Sequence, residues 1–306
     1  MKTWLKLLIN LLLIIAWTFN AGIAQYYSGS DKSGHSNMVE IIAMDYAFDA
    51  PDEIPSGWTA FHFTNEGDEE HFFVPLLLDE GWTFEDYTEG VLPPVNDAWI
   101  AHREGHIGQE EALGKVFEMF EEGEIEVGYE YRGGSGIVAP GLSTEVMLYM
   151  EPGTYVLECY IKDEDGEFHL MEGMVRELVV SGHNSEAQPP EADIEIVFTD
   201  DSIVMNGDLS AGNLTFSVTA DQEGDNVHIA KIDGDKDVRE VAEWMDWFAV
   251  NGLRHPAPAS FIGGMHALQP GTTGYFTVDL EPGRYLFVRG FNYWNVGVLK
   301  DVTIAP

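Results

Sequence analysis

The chain holds one cysteine, and the residues that follow it have matched chemistry. Tyr155-Val156-Leu157-Glu158-Cys159 is followed by His169 and then by Gly173-Met174. A thiolate, an imidazole and a thioether in that order form a set of soft donors. Two imidazoles and a thiolate in a plane, with a weak axial thioether, suit copper that exchanges single electrons. Such a site needs a second histidine from elsewhere. His71 is the best candidate, because it ends Asn65-Glu66-Gly67-Asp68-Glu69-Glu70-His71 just after the alternating segment Thr59-Ala60-Phe61-His62-Phe63.

The elements that must position these residues read as strands. Residues 38–46, 59–64, 145–150, 153–160 and 174–180 alternate or form apolar β-runs bounded by Gly, Pro and Asn. Residues 193–198, 214–219, 273–280, 284–291 and 298–304 do the same in the second half. Cys159 then closes one strand and Met174 opens the next, so the loop between them can fold His169 over the same pole. The two halves are related by a repeat. Met150-Glu151-Pro152-Gly153-Thr154-Tyr155 matches Leu280-Glu281-Pro282-Gly283-Arg284-Tyr285, and Glu66-Gly67-Asp68-Glu69-Glu70-His71 matches Glu223-Gly224-Asp225-Asn226-Val227-His228. Gly133-Gly134 and Pro140-Gly141 match Gly263-Gly264 and Pro270-Gly271. Ordered matches of this kind indicate a duplicated domain. The expected fold is all-β: two tandem Greek-key β-sandwich domains over residues 36–182 and 191–306, joined by a linker at 183–190 that ends in two prolines. A helical insertion is expected in each half, at 109–121 (with a short turn at 83–87) and at 237–250, capping a sandwich edge or serving a partner.

The Asn-Glu-Gly turn before His71, the Pro-Gly-x-Tyr-x-x-x-Cys strand and His-x-x-x-Gly-Met together resemble the cupredoxins, the blue copper proteins. The similarity to the plastocyanin and azurin group spans roughly residues 38–182. It implies one type 1 copper per chain, with Cys159, His71 and His169 in the plane and Met174 axial, and a one-electron carrier that works with a redox partner protein. The segment 160–168 is long beside plastocyanins, as it is in copper nitrite reductases, and its acids suggest a solvent-facing loop. The second half resembles the same fold without the site. Arg289 stands at the place of Cys159, Tyr293 and Val298 stand near those of His169 and Met174, and only His228 is kept, as a turn residue. That domain is expected to serve packing or recognition. Copper sequestration without a redox partner, and a metal-free interaction module, are the alternatives.

Other chemistry is weaker. His102 and His106 could share a helix face as a metal pair, but Gly105 weakens that helix and the order is not that of a zinc protease. His266 reads as a loop residue. There is no Ser-His-Asp signature, phosphate loop or nucleotide fingerprint. The His-x-His and His-Cys-His elements of multicopper oxidases are missing, so the chain reads as a non-enzyme for which a small-molecule substrate is not expected.

The composition narrows the setting. Residues 1–24 read as a signal peptide: Lys2 and Lys6, an apolar core, then Gly22-Ile23-Ala24. A single-pass anchor is the competing reading, but the apolar run is short for one. The expected location is periplasmic or secreted, with no membrane span after cleavage. A lone thiol in an oxidising compartment has no internal disulfide partner, which adds weight to Cys159 as a ligand. With 53 acids against 15 Lys and Arg, the net charge is −38. Nucleic acid and anionic membranes are therefore poor partners. The acids are spread along the whole chain, which fits a surface hydrated in a salty medium better than a single docking face.

Overall fold

The computed structural model describes residues 38–199, 202–222, 224–234, 236–290 and 298–305. The leader assigned to residues 1–24 and the Tyr293 position lie outside them. Alternation sets the first strands. In β1 (Met38–Met44), Val39, Ile41 and Ala43 point inward and their neighbours outward. A short β2 (Ala47–Asp49) folds back on β1. β3 (Glu53–Asn65) is thirteen residues long and serves two sheets. Its first part runs parallel to β8 (Val175–Asn184), and its later part pairs with β1 and antiparallel with β6 (Ser143–Met150). The opposing sheet runs β8, β7 (Gly153–Glu158), β4 (Val74–Leu78), β5 (Tyr129–Tyr131). Phe61, Phe63, Phe73, Val156 and Leu178 fill the space between the two layers.

The second half repeats this order. β10 (Ser202–Asn206), β9 (Ile194–Thr199), β11 (Gly212–Thr219) and β14 (Thr273–Leu280) form one layer. β13 (Ser260–Leu268), β12 (Asp225–Ile232), β15 (Gly283–Arg289) and β16 (Val298–Ile304) form the other. The chain is thus two tandem cupredoxin-like β-sandwiches. The edge strands β6 and β14, counterparts in the repeat, pair with each other at Val146–Phe276 and join the two first layers into one sheet. Each half covers the other's exposed edge. The backbones meet closely elsewhere in the interface: a Cβ on Gly136 would lie 2.4 Å from the Gly263 carbonyl carbon.

Helices occupy the same place in both halves, between the fourth and fifth strands. The first insertion holds α1 (Phe84–Gly90), α2 (Leu92–Arg103) and α3 (Gln109–Glu121). Thr83 and Asp86 close a capping box at the start of α1. The helix α2, which holds Pro93 and Pro94, was not among the expected elements. The prolines lie in its first turn, where no N–H is required. A single turn, α4 (His169–Glu172), follows β7, and α5 (Val238–Trp244) is the insertion of the second half. α5 stops short of the expected Val250. The Leu253 N–H takes the Trp244 carbonyl, and the Lys162 ammonium takes those of Trp247 and Ala249. No helix among the described residues is long and apolar enough to cross a membrane.

Candidate metal centre

Three of the residues singled out by the sequence meet at one end of the first sandwich. His71 bridges to Val138 just ahead of β4, Cys159 follows β7, and His169 opens α4. All three are fully buried. Cys159 Sγ lies 3.9 Å from His71 Nδ1 and 3.7 Å from His169 Nδ1, and the two Nδ1 atoms are 3.1 Å apart. Met174 is buried beside them and tied by backbone to both neighbours: its N–H donates to the His169 carbonyl at 2.9 Å, and its carbonyl accepts from the Cys159 N–H at 3.2 Å. Gly173, at φ +118°, makes the turn between α4 and Met174.

The far sides of the imidazoles decide what the near sides can do. His71 Nε2 is 2.6 Å from Asp45 Oδ1, and His169 Nε2 is 2.8 Å from Glu69 Oε2. A carboxylate accepts, so each Nε2 carries the proton and each Nδ1 presents a lone pair. Two lone pairs 3.1 Å apart repel unless a cation sits between them. Separations of 3.1, 3.7 and 3.9 Å are short enough for one ion to touch all three donor atoms. The donors therefore fit a soft metal ion.

Burial keeps the His71 imidazole and the Cys159 thiol in their neutral forms. Burial pushes His71 down to about 4, with His169 adding to the effect, against the pull of Asp45. Burial pushes the Cys159 thiol up to about 12. Burial also raises the Asp45 carboxyl, but the Asp68 N–H at 2.8 Å and His71 outweigh it and hold Asp45 below its ordinary value. Tyr46 packs its ring 4.7 Å from that of His169 and donates to Glu69 Oε1 at 3.2 Å. Asn65 organises the turn before His71: its amide donates to the Glu69 and Val138 carbonyls, and its oxygen accepts from the Gly67 N–H. Beside Cys159, burial pushes the Glu158 carboxyl up to about 7, against the hydrogen bond from Tyr87.

The Cys159-to-His169 loop is not the solvent-facing segment expected. Asp163 to Asp165 carry the only outward turn, while Ile161, Lys162 and Phe168 are buried. The cover comes from the second half. The Lys162 N–H donates to the Leu253 carbonyl at 2.7 Å, and the His255 N–H donates to that of Lys162 at 2.8 Å. Lys162 Nζ donates to the Trp247 and Ala249 carbonyls and lies 4.2 Å over the Trp99 ring. His255 Nδ1 and the Ala257 N–H hold Glu70, next to His71, at 2.8 and 3.2 Å.

Two further expectations are corrected. His228 is not a turn residue; it lies fully buried in β12, its Nδ1 accepting from the Ile137 N–H at 3.1 Å. His266 is not a loop residue; it lies in β13. The Ala267 N–H donates to its Nδ1, which leaves Nε2 as donor to Tyr160 Oη at 2.7 Å. Packing across the domain interface, absent from local sequence, buries both. His102 and His106 are not brought together: the His102 ring stacks on Phe248, while His106 is exposed beside Glu104. At the counterpart of the metal centre, Arg289 pairs with buried Asp225, donates to the Thr199 carbonyl and lies over Phe198. A guanidinium occupies that place in the second half.

No protein-family model and no curated protein sequence matches the chain. Among solved structures, the dithionite-reduced auracyanin of the photosynthetic bacterium Roseiflexus castenholzii is 18% identical, covering 48% of this chain and 99% of its own, with a TM-score of 0.29. Auracyanin A of the green thermophilic photosynthetic bacterium Chloroflexus aurantiacus, titled a "blue" copper protein, is 17% identical over 47% of this chain and 98% of its own, at 0.26. A blue copper oxidase from Nitrosomonas europaea is 13% identical and covers 88% of this chain and 86% of its own, at 0.23. The assignment of a cupredoxin-like fold rests on strand order and on the pole at which the donors meet.

Proposed function

We propose that this chain is an exported type 1 copper protein that carries single electrons, with domains at 36–182 and 191–306. In this reading His71 Nδ1, His169 Nδ1 and Cys159 Sγ would hold one copper, with the Met174 thioether as a fourth donor. The observation that carries it is the convergence of three buried soft donors whose outer nitrogens are already committed to Asp45 and Glu69. Bound copper supplies a centre that gains and loses one electron. The protein's part is to hold the donors still. Asp45 and Glu69 fix both tautomers and raise the basicity of the imidazoles. The Cys159 N–H and Met174 carbonyl lock two donor segments together. The buried walls exclude water, so the donors have little room to rearrange between oxidation states. The thiol must lose its proton on binding. No residue is assigned a catalytic role, and the partner is a redox protein.

The test is a visible spectrum of the mature chain titrated with Cu(II), followed by reduction and reoxidation. An intense thiolate-to-copper band saturating at one copper per chain, bleached and restored reversibly, is expected. A band that does not cycle points to sequestration. No band, with the protein folded and the thiol reduced, overturns the copper assignment.

A further inference from the structure

A cavity of about 160 Å³ lies behind the metal centre, where α1 and α2 of the first half meet Trp247 of the second. It is comparable with the ~150 Å³ cavity that holds a benzene ring. Its walls carry two runs of aromatic rings. Tyr87, Tyr129 and Tyr131 follow one another at centroid distances of 5.5 and 6.1 Å. Tyr160, Trp247 and Phe168 do so at 6.0 and 6.2 Å. One carboxyl, that of Glu158, shares this space and is 4% exposed. Its Oε2 accepts from Tyr87 Oη at 2.7 Å. No Lys, Arg or His is among the described lining residues, so Glu158 has no cationic partner there. Val95 and Met171 are partly exposed at the wall, giving the cavity a way out.

We propose that this cavity binds a small organic cation of the quaternary ammonium class. Ring faces attract a cation through their quadrupoles, most strongly where water is excluded. A buried carboxylate without a counter-charge is costly, and a cation beside it removes that cost. An anion is repelled by Glu158, and a neutral apolar ligand brings its carboxyl no counter-charge beyond the hydrogen bond from Tyr87. The net charge of −38 also concentrates cations around the molecule. One ring is already engaged: Lys162 Nζ lies 5.3 Å from the Phe168 centroid, tied to two carbonyls. The ligand therefore takes the side of the box formed by the tyrosines, Trp247 and Glu158. The site stands independently of the copper reading.

The test is calorimetric titration of the full chain, copper-free and copper-loaded, with choline chloride at about pH 8 in high salt, which screens the surface acids. Its uncharged carbon isostere, dimethylbutanol, is the control. One saturable choline site is expected in both forms, with the isostere at least ~10-fold weaker. Glu158→Gln should weaken choline by about 10-fold and leave the isostere unchanged. Val95→Trp, at a half-exposed wall position, should remove binding of both and keeps the test intact where Glu158→Gln does not fold. No saturable heat, equal affinity for choline and its isostere, or choline binding untouched by either variant would overturn the proposal. Because the copper-free protein is titrated separately, absence of a copper band leaves this result standing.

Discussion

At the scale of single residues, the proposed metal centre rests on carboxylates as much as on its proposed donors. Cys159 is the donor no other residue replaces. Cys159→Ser should abolish the intense band, because an alkoxide does not form at neutral pH and offers no sulfur charge transfer. The buried hydroxyl should cost about 1–3 kcal/mol of stability, read from urea unfolding. A surviving band would remove the assignment. Gly67 is a less obvious requirement. A Cβ there would fall 2.3 Å from Asp45 Oδ1 and 2.7 Å from His71 Nε2. Gly67→Ala must push Asp45 off the imidazole, and the tautomer that presents the Nδ1 lone pair is no longer enforced. Copper affinity, measured by competition with a chelator, should fall roughly 10–100-fold. Asp45→Asn should reproduce the loss without the steric change. Unaltered affinity in both would mean that the Asp45 contact is incidental.

At the scale of elements, the second sandwich acts as a brace on the first. The segment 244–257 covers the loop between Cys159 and His169, and Lys162 is its pin. Lys162→Met keeps the buried stem and removes the ammonium, leaving two carbonyls without their donor. It should cost on the order of 1–3 kcal/mol and speed copper release to a chelator by loosening His169. Release at the native rate would show that the loop holds itself. His228→Ala tests the counterpart position. It removes the acceptor of the Ile137 N–H at the domain interface but touches no donor. Stability should drop while the copper band stays unchanged; a lost band would mean that the halves share the centre. The strands were legible because alternation is local, and the four proposed ligands because each lies beside a recognisable turn. Asp45, Glu69 and Glu70 were hidden among 53 acids, where nothing local marks which carboxylate faces a histidine. The covered loop and the Tyr160–His266 bond depend on residues 85–106 positions away, a distance over which periodicity carries no signal. The helix α2 was not read from the sequence, although Pro93 and Pro94 in its first turn are compatible with a helix start.

At the scale of the molecule, the buried titratable groups set how stability responds to acid. His71 is held at about 4 and His266 at about 3, and His228 lies well below its ordinary value, burial being the first cause in each. Unfolding exposes all three, and below about 6.5 the unfolded chain binds protons that the folded chain refuses. Stability therefore falls as pH drops, by about 1.4 kcal/mol per pH unit for each of His71 and His266, with His228 acting in the same direction. Glu158 works in the opposite sense. Burial raises it from 4.5 to about 7, so between those values the folded state holds the proton and the unfolded state does not. His71 and His266 outweigh Glu158 and His228 adds in the same direction, leaving a net loss of at least about 1.4 kcal/mol per pH unit between about pH 6 and 4.5. Burial lowers His255, but the Glu70 carboxylate outweighs it and raises the imidazole above its ordinary value, so His255 adds no loss of stability in that window. The net charge of −38 adds a self-repulsion that acid relieves, so the measurement belongs in high salt, where surface charge is screened. Urea midpoints of the copper-free chain should decrease steadily across the window, and Glu158→Gln should steepen the decrease by removing the one opposing group. Midpoints that rise on acidification would mean that the three histidines are already protonated in the folded protein, and the neutral, lone-pair-bearing His71 on which the metal centre depends would go with them.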